Sequence, residues 1–510
     1  MEWDLILLVF STVCLATAFL LLIPSRIKPK PNAGSRKLPP GPPGWPLFGN
    51  MFDLGSTPNE ALANLSKKYG PVLWLRLGLQ NTIVISSTEA AMEMFKNHDL
   101  TFVNRNITEA LRVHSYHQGA ISTMNYGPYW RMLRRITTTE LFSNNRIDNS
   151  ENLRQKCVDN MIKWISNESM EKGVVEIAHF ISLMSFNVIG NLMLSRDLVD
   201  PSSIRAAEFF TAAEKVVQCI GAPNMADLFP FLRWLDPQGI KKKMKQSLGK
   251  ALQVATGFVK ERIAQRESKS EESNNKDLLD VLLEFQGNQK DGEPATISET
   301  NINILMLELF TAATDTITST MEWAITELLR NPSTMKKVED ELEHIVGKNK
   351  KVEEGDIEKL HFLQAVVKET LRLHPPVPLL IPRRSMEDRE LMGYSIPKNT
   401  QVLVNVWAMG RDPSSWDDPL VFKPERFLGS DIDYKGQHFQ LLPFGSGRRM
   451  CVGLPLAHRV LHFALASLIQ SFEWALEEGV KPEGMDMTGT FGALRKAQPL
   501  KVVVQPRTNL

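Results

Sequence analysis

Hydrophobic residues change their pattern several times along the chain. From Leu5 to Ile23 the run is apolar apart from Ser11, Thr12, Cys14 and Thr17, and it carries no charge. Wound as a helix, such a run spans about 28 Å, enough for the hydrocarbon core of a bilayer. Val72-Leu-Trp-Leu-Arg-Leu77 and Thr82-Ile-Val-Ile-Ser86 then alternate or cluster β-forming residues and predict an early hairpin. A long helical pattern follows a potential capping box, Thr296-Ile-Ser-Glu299, and runs to Arg330, where Asn331-Pro332 stops it. A helix of that length extends roughly 50 Å, across a whole domain. A last apolar helical pattern covers Leu454 to Phe472. Between these, Asn104 to Gly127 and Arg266 to Lys276 are polar and predict loops, and Leu373-His-Pro-Pro-Val-Pro-Leu-Leu-Ile-Pro-Arg383 predicts a turn leading into an apolar strand. Phe209 to Ile240 is rich in aromatic and aliphatic residues broken by prolines.

Charge gives the first run an orientation. Glu2 and Asp4 precede it, whereas Arg26, Lys28, Lys30, Arg36 and Lys37 follow, so the positive-inside rule keeps its C-terminal side in the cytosol. A cleaved signal peptide is the competing reading, but its apolar region is usually about 7–15 residues long with a basic segment before it. Residues 1–24 are therefore read as an uncleaved signal anchor, one transmembrane helix in the endoplasmic reticulum membrane. The sequons at Asn64, Asn106 and Asn167 are then expected to carry no glycan. Residues 25–46 turn from basic to proline-rich at Leu38-Pro-Pro-Gly-Pro-Pro-Gly44-Trp45-Pro46, a stiff hinge because proline fixes φ. No Gly/Ser linker or repeat divides 47–510, which reads as one large domain.

Composition adds exclusions. Hydrophobic content of 43% and charged content of 23% suit a large buried core, and a net charge of +1 gives no case for nucleic acid. Four cysteines, at positions 14, 157, 219 and 451, form no CxxC pair, so neither a zinc site nor a disulfide framework is indicated.

The densest chemistry lies in Pro443-Phe-Gly-Ser-Gly-Arg-Arg-Met-Cys-Val-Gly453, with glycines, two arginines and one cysteine directly before a helical pattern. Glycines there permit tight turns and close approach, and a cysteine facing a helix N-terminus beside arginines would have its thiolate stabilised. Read alone, one cysteine in such a turn is more often a small buried residue. Trp130 and Arg134 stand one helical turn apart, where a stacked surface pair is the plain alternative. Mid-way along the long helix, Ala312-Ala313-Thr314-Asp315-Thr316 combines small residues with an acid and a hydroxyl. A helical Thr can also serve only to bond back to the carbonyl four residues earlier. Glu369 and Arg372 are spaced as an ordinary helix ion pair.

Together, Phe444-x-x-Gly447-x-Arg449-x-Cys451-x-Gly453 resembles the haem-binding loop of the cytochrome P-450 superfamily of haem-thiolate monooxygenases. The resemblance implies a mainly α cytochrome P-450 fold with a smaller β-rich region. It makes Cys451 the axial ligand of haem iron and Arg449 a partner of a haem propionate. Trp130 and Arg134 match the family's Trp-x-x-x-Arg, with Arg383 a further propionate contact, and neighbouring Arg131 and Arg135 would lie where an acidic electron donor docks. Asp315 and Thr316 would deliver protons for oxygen activation, although Ala313 replaces the usual glycine and Ile317 the usual second hydroxyl. Glu369, Arg372 and Arg426 would lock the fold around the haem loop. Ile121, Ser122, Ala312, Ala313, Val377, Leu380, Ala493 and Leu494 would line the substrate pocket, with the Phe209–Ile240 stretch as a lid dipping into the membrane. Implied cofactors are haem b and O2, with NADPH electrons delivered by cytochrome P-450 reductase and cytochrome b5 admitted as a second donor. Ala457-His-Arg-Val-Leu461, the proline hinge and the cysteine loop resemble plant microsomal members that oxidise geraniol, iridoids and other terpenoids. A small lipophilic terpenoid is thus the expected substrate, with phenolic or alkaloid substrates next. A haem-thiolate isomerase or dehydratase that uses no O2, or a non-catalytic haem binder, is disfavoured by the intact acid–hydroxyl pair.

Overall fold

The computed structural model describes residues 12–13, 37–268, 276–287, 292–490 and 495–507. Apart from Thr12 and Val13, the expected anchor lies outside the described residues, as do Ala493 and Leu494.

The described chain is mainly helical, and the core is built around the helix Glu299–Arg330. Nearly every residue from Ile302 to Phe310 and from Ile317 to Leu329 is buried on it. Its N-cap is Ser298, whose hydroxyl accepts from the amide of Asn301 at 3.3 Å, so the capping box expected from Thr296 does not form. Ile297 explains the shift: it is buried just before the cap, which starts the helix two residues later than Thr296 as N-cap would. Ile177–Leu194 packs along this central helix. It is apolar and long enough to cross a membrane, yet most of it is buried inside the protein, as a core helix requires.

Val72–Leu77 pairs antiparallel with Gln80–Ile85 as the hairpin pattern predicts. That second strand pairs in parallel with Gln401–Val404, which in turn pairs with Arg383–Arg384 and then Asn104–Arg105. The sheet thereby places Arg105 opposite Arg383. Residues 377–381 do not form the expected strand. Pro375, Pro376, Pro378 and Pro382 supply no amide donors, Leu380 takes a positive φ of 49°, and its amide closes a turn onto the carbonyl of Val377.

The loop expected from Asn104 to Gly127 is more ordered than its polarity suggested. Within Asn104 to Gly127 lie a short strand and helices at Glu109–Arg112 and Tyr116–Gly119; Thr108 caps the first of them. Polar residues there act as caps and ties: Asn104 accepts from the amide of Tyr126, and Asn125 from that of Arg105. Of the loop expected from Arg266 to Lys276, residues 269–275 lie outside the described residues, while Arg266 belongs to the helix Ile240–Ser268 and pairs with Asp280 and Glu284.

The Phe209–Ile240 stretch divides in two. Phe209 and Phe210, on the helix Ile204–Gly221, pack on Phe186, which stacks on Phe310 of the central helix with centroids 4.5 Å apart. Phe231, Trp234 and Leu235, further on, are exposed, Trp234 by 81%.

Candidate active site

The cysteine loop is shaped by its glycines and by one aspartate. Gly445 and Gly447 take positive φ values of 70° and 68°, a region that other residues rarely adopt. At Gly447 a Cβ would stand 2.5 Å from Asp99 Oδ1, because the backbone runs directly over that carboxylate. Asp99 in turn accepts from Arg383, from the amide of Arg448 and from the Arg448 guanidinium. The amide of Cys451 donates to the carbonyl of Phe444 at 3.0 Å and closes the loop. Immediately after it, Leu454–Ser471 begins with Gly453 as its N-cap.

Cys451 keeps accessible surface although protein atoms crowd it from every side, as a side chain facing an interior cleft does. Burial pushes its thiol up, opposed by the amides of Gly453 and Leu454 and by Arg134. The loop and its arginines therefore do not by themselves make the thiolate that the sequence suggested. A bound metal ion, which deprotonates a coordinating thiol outright, would supply what is missing.

Around this loop the arginines singled out in the sequence converge. Arg449 is buried and donates to the carbonyls of Val103, Ile121 and Met124 at 2.9, 3.1 and 2.6 Å. Its guanidinium and that of Arg134 lie over the Trp130 ring at 4.3 and 5.4 Å. The Trp130 indole donates to Ile121, and Arg134 donates to the carbonyl of Met450 next to the cysteine. Arg383 joins Asp99 at 3.0 Å and the carbonyl of Ser446.

Sequence reasoning missed Asp99 and two further residues here. Arg105 is buried and donates to the carbonyls of Ser122 and Ile381, both at 2.6 Å. Glu308, on the central helix, accepts the amides of Ile121 and Ser122 at 2.5 and 2.6 Å. A lone acid inside the apolar run 302–310 was the available signal for Glu308. Nothing in sequence spacing pointed to Arg105, whose place depends on the strand pairing.

Burial lowers the pKa of Arg105, Arg134, Arg383 and Arg449; neighbouring arginines add to the effect at Arg105 and at Arg449, which is brought down to about 9. The carboxylates that oppose this are Asp99 and Glu308, and Asp99 is shared with Arg448. Four guanidinium groups against two carboxylates leave at least two uncompensated positive charges. A ligand with two carboxylates, an apolar body and a soft metal centre matches the arginines, the cleft and the cysteine, and iron protoporphyrin meets that description.

Mid-way along the central helix, Ala312 is exposed, with Ala313 and Thr316 partly so, an accessible strip on an otherwise buried helix. Thr316 donates its hydroxyl to the carbonyl of Ala312 at 2.8 Å, the backbone bond that helical Thr can make, and retains its lone pairs as acceptors. Asp315 pairs with Arg495, and burial pushes its carboxyl up. Arg495 was not singled out by any motif.

Glu369 lies wholly buried between Arg372, bonded twice at 2.7 Å, and Arg426 at 3.1 Å. Arg372 also donates to the carbonyls of Gly410, Pro419 and Val421, tying three turns to one helix. Val377 and Leu380 are half-buried on the turn before Arg383. Arg131 and Arg135 are exposed, and Glu293 holds Arg135 through two bonds of 2.9 and 3.1 Å.

A family model, "Cytochrome P450", matches residues 39–504. Among curated proteins, "Cytochrome P450 76A2" of Solanum melongena is 52% identical, over 99% of both chains. "Iridoid oxidase" of Catharanthus roseus is 48% identical over 98% of both chains. "Geraniol 8-hydroxylase" of Swertia mussotii is 44% identical over 92% of this chain and 94% of the other. With the cysteine loop and its arginines, these full-length matches show that the chain belongs to the cytochrome P450 family of monooxygenases.

Proposed function

We propose that the enzyme oxidises a small terpenoid at the cytosolic face of the endoplasmic reticulum, with NADPH as the source of electrons. The reading rests on one observation, the cysteine loop within its cluster of arginines, and takes its substrate class from the similarity to geraniol- and iridoid-oxidising proteins. The overall change is R–H + O2 + NADPH + H+ → R–OH + H2O + NADP+.

Cys451 would hold iron protoporphyrin from one side, with Trp130, Arg134, Arg383 and Arg449, joined by Arg105, around its propionates. When bound, thiolate-ligated haem supplies the activation of O2 for transfer of one oxygen atom. The chain's own residues do the rest. Ala312 and Ala313 leave room on the central helix for the substrate. Ile121 and Ser122 form a wall held by Glu308 through their amides and by Trp130, Arg449 and Arg105 through their carbonyls. Phe186, Phe209 and Phe310 make an apolar surface that excludes water. Asp315 holds or passes a proton at its carboxylate, and Thr316 accepts a hydrogen bond at its hydroxyl. Val377, Leu380, Ala493 and Leu494 complete the proposed pocket.

The proposed organisation is a signal anchor over 1–24, a hinge over 25–46 and a catalytic domain over 47–510. The exposed Phe231, Trp234 and Leu235 suit contact with a bilayer surface. Cytochrome P-450 reductase, and cytochrome b5 as a second donor, would dock near Arg131 and Arg135, where an acidic partner must compete with Glu293 for Arg135. The test is turnover of a panel of monoterpenoids, phenolics and alkaloids by membranes that hold the enzyme and reductase, with products identified by mass spectrometry. Oxidation of terpenoids that requires both NADPH and O2 is expected. Preferential turnover of phenolics or alkaloids would replace the substrate assignment, and product without NADPH would replace the reaction.

A further inference from the structure

Three charged groups from distant parts of the chain meet beside the middle of the central helix. Arg495 donates to Asp315 through one guanidinium nitrogen and approaches Glu214, on the helix Ile204–Gly221, at 3.5 Å through another. The two carboxylates stand in unlike surroundings, since the Asp315 side chain is 18% exposed and that of Glu214 51%. Asp315 Oδ2 is buried and has no hydrogen-bond partner among the described residues. Burial raises the pKa of Asp315, Arg495 lowers it and Glu214 raises it again.

One cation between two carboxylates at unequal distances is held more strongly by the nearer, and a shift of about an ångström in either carrier changes the balance between them. The helix that carries Glu214 also carries Phe209, packed on Phe310 of the central helix at 5.9 Å. Anything seated against that aromatic cluster therefore bears on the helix that presents Glu214. We propose that Arg495 is the positioning residue for Asp315, with Glu214 its alternative partner, so that the placement of the Ile204–Gly221 helix governs the carboxylate that handles protons. With Arg495 on Asp315, the carboxylate is fixed and its anionic form is favoured, so this is the position that releases a proton, with Oδ2 buried. With Arg495 drawn to Glu214, Asp315 is a buried carboxylate without a counter-charge and takes up a proton, a costly state for it to leave unprotonated. The alternation lets Asp315 take up a proton in one position and release it in the other. The proposal rests on the reading that Asp315 serves proton delivery.

The test uses the full-chain holoenzyme in membranes with reductase, NADPH and geraniol as the probe. Arg495→Gln, Arg495→Lys, Asp315→Asn and the double variant Arg495→Gln/Asp315→Asn are compared, each first shown to keep the red-shifted Soret band of its reduced carbon monoxide complex. Hydrogen peroxide released per NADPH oxidised reads the fate of the electrons whether or not geraniol is turned over. Hydrogen exchange of the amides around Glu214 reads the helix independently of activity. Arg495→Gln is expected to slow NADPH-dependent O2 reduction about ten- to hundredfold, the effect of a misplaced catalytic group, and to alter the peroxide fraction. Arg495→Lys should restore most of both, the double variant should be no worse than Asp315→Asn, and exchange around Glu214 should rise in Arg495→Gln. If Arg495→Gln impairs Asp315→Asn as much as it impairs the wild type, Arg495 acts elsewhere and the proposal falls. It falls equally if Arg495→Gln is silent where Asp315→Asn is not. A silent Asp315→Asn would remove the proton-delivery reading itself, and the proposal with it.

Discussion

The cysteine loop and the middle of the central helix are built in opposite ways. In the loop, the shape comes from residues close in sequence: Gly445 and Gly447 at positive φ, and Cys451 bonded back to Phe444. Distant residues are then pulled onto that shape, with Arg449 gripping three carbonyls and Asp99 lying under Gly447. On the central helix the local structure is an ordinary run of turns, and the chemistry arises only from tertiary placement. Asp315 acquires its setting from Arg495 and Glu214, which no local pattern links to it. The first site is therefore rigid and redundantly held, whereas the second depends on a few long-range charges that a small movement can rearrange.

The largest effect that would break the comparison is at the loop's one irreplaceable atom. Cys451→Ala removes the only thiol in the loop and should abolish the red-shifted Soret band of the reduced carbon monoxide complex. A variant that keeps the band would move the iron ligand elsewhere. Next comes the frame. Glu369→Ala strips the counter-charge from Arg372 and Arg426, both bonded to it inside the protein. Breaking a buried pair by removing one partner costs about 3–5 kcal/mol. The midpoint of urea unfolding, followed by Soret absorbance, should fall sharply, with little protein recovered in the haem-bound form. An unchanged midpoint would mean that the triad does not hold this region.

The helix should respond differently. Thr316→Ala removes a hydroxyl that, among the described residues, donates only to its own helix's carbonyl at Ala312, so folding and haem binding should survive. General acid–base assistance is typically worth about 10²–10⁴-fold, and its loss should divert electrons from product into hydrogen peroxide. The ratio of peroxide to product per NADPH measures this. Wild-type coupling in Thr316→Ala would leave its bond to Ala312 as the residue's whole role.

How far each region could be read in advance follows from the same contrast. Phe444, Gly447, Arg449, Cys451 and Gly453 are legible because the loop's geometry is local and needs those residue types at that spacing. Trp130, Arg134, Glu369 and Arg372 are legible for the same reason, as helical positions one turn apart. Arg105 was hidden because only strand pairing brings it opposite Arg383. Glu214 and Arg495 were hidden because each is an unremarkable charge until the chain folds. The strand expected over 377–381 failed because prolines remove the donors that a ladder needs. The loop expected over 104–127 failed because Thr108, Asn104 and Asn125 use their polar groups to cap helices and tie backbone. Polarity alone does not separate that use from solvation.

Acid offers a finer way to part the two regions. The helix that follows the cysteine carries His458 and His462, whose pKa values burial depresses to about 4 and about 3. Each is held in a neutral arrangement: Tyr434 Oη lies 2.7 Å from His458 Nδ1, and His462 Nδ1 donates to the carbonyl of His458 at 2.6 Å. In the unfolded chain both would titrate near the ordinary histidine value of about 6.5. A depressed folded value contributes stability that is fully present above the unfolded pKa and is lost as pH falls toward the folded one. The window is therefore about pH 6.5 down to 4, and at one unit below 6.5 each imidazole costs about 1.4 kcal/mol. Asp315 responds with the opposite sign, because its raised folded value makes its contribution greatest in acid and lost as pH rises. His462→Leu should flatten the fall in unfolding midpoint between pH 6.5 and 5 while leaving the peroxide-to-product ratio at neutral pH as in the wild type. An acid limb unchanged in His462→Leu would show that this imidazole is not among the groups that make the cysteine side acid-labile.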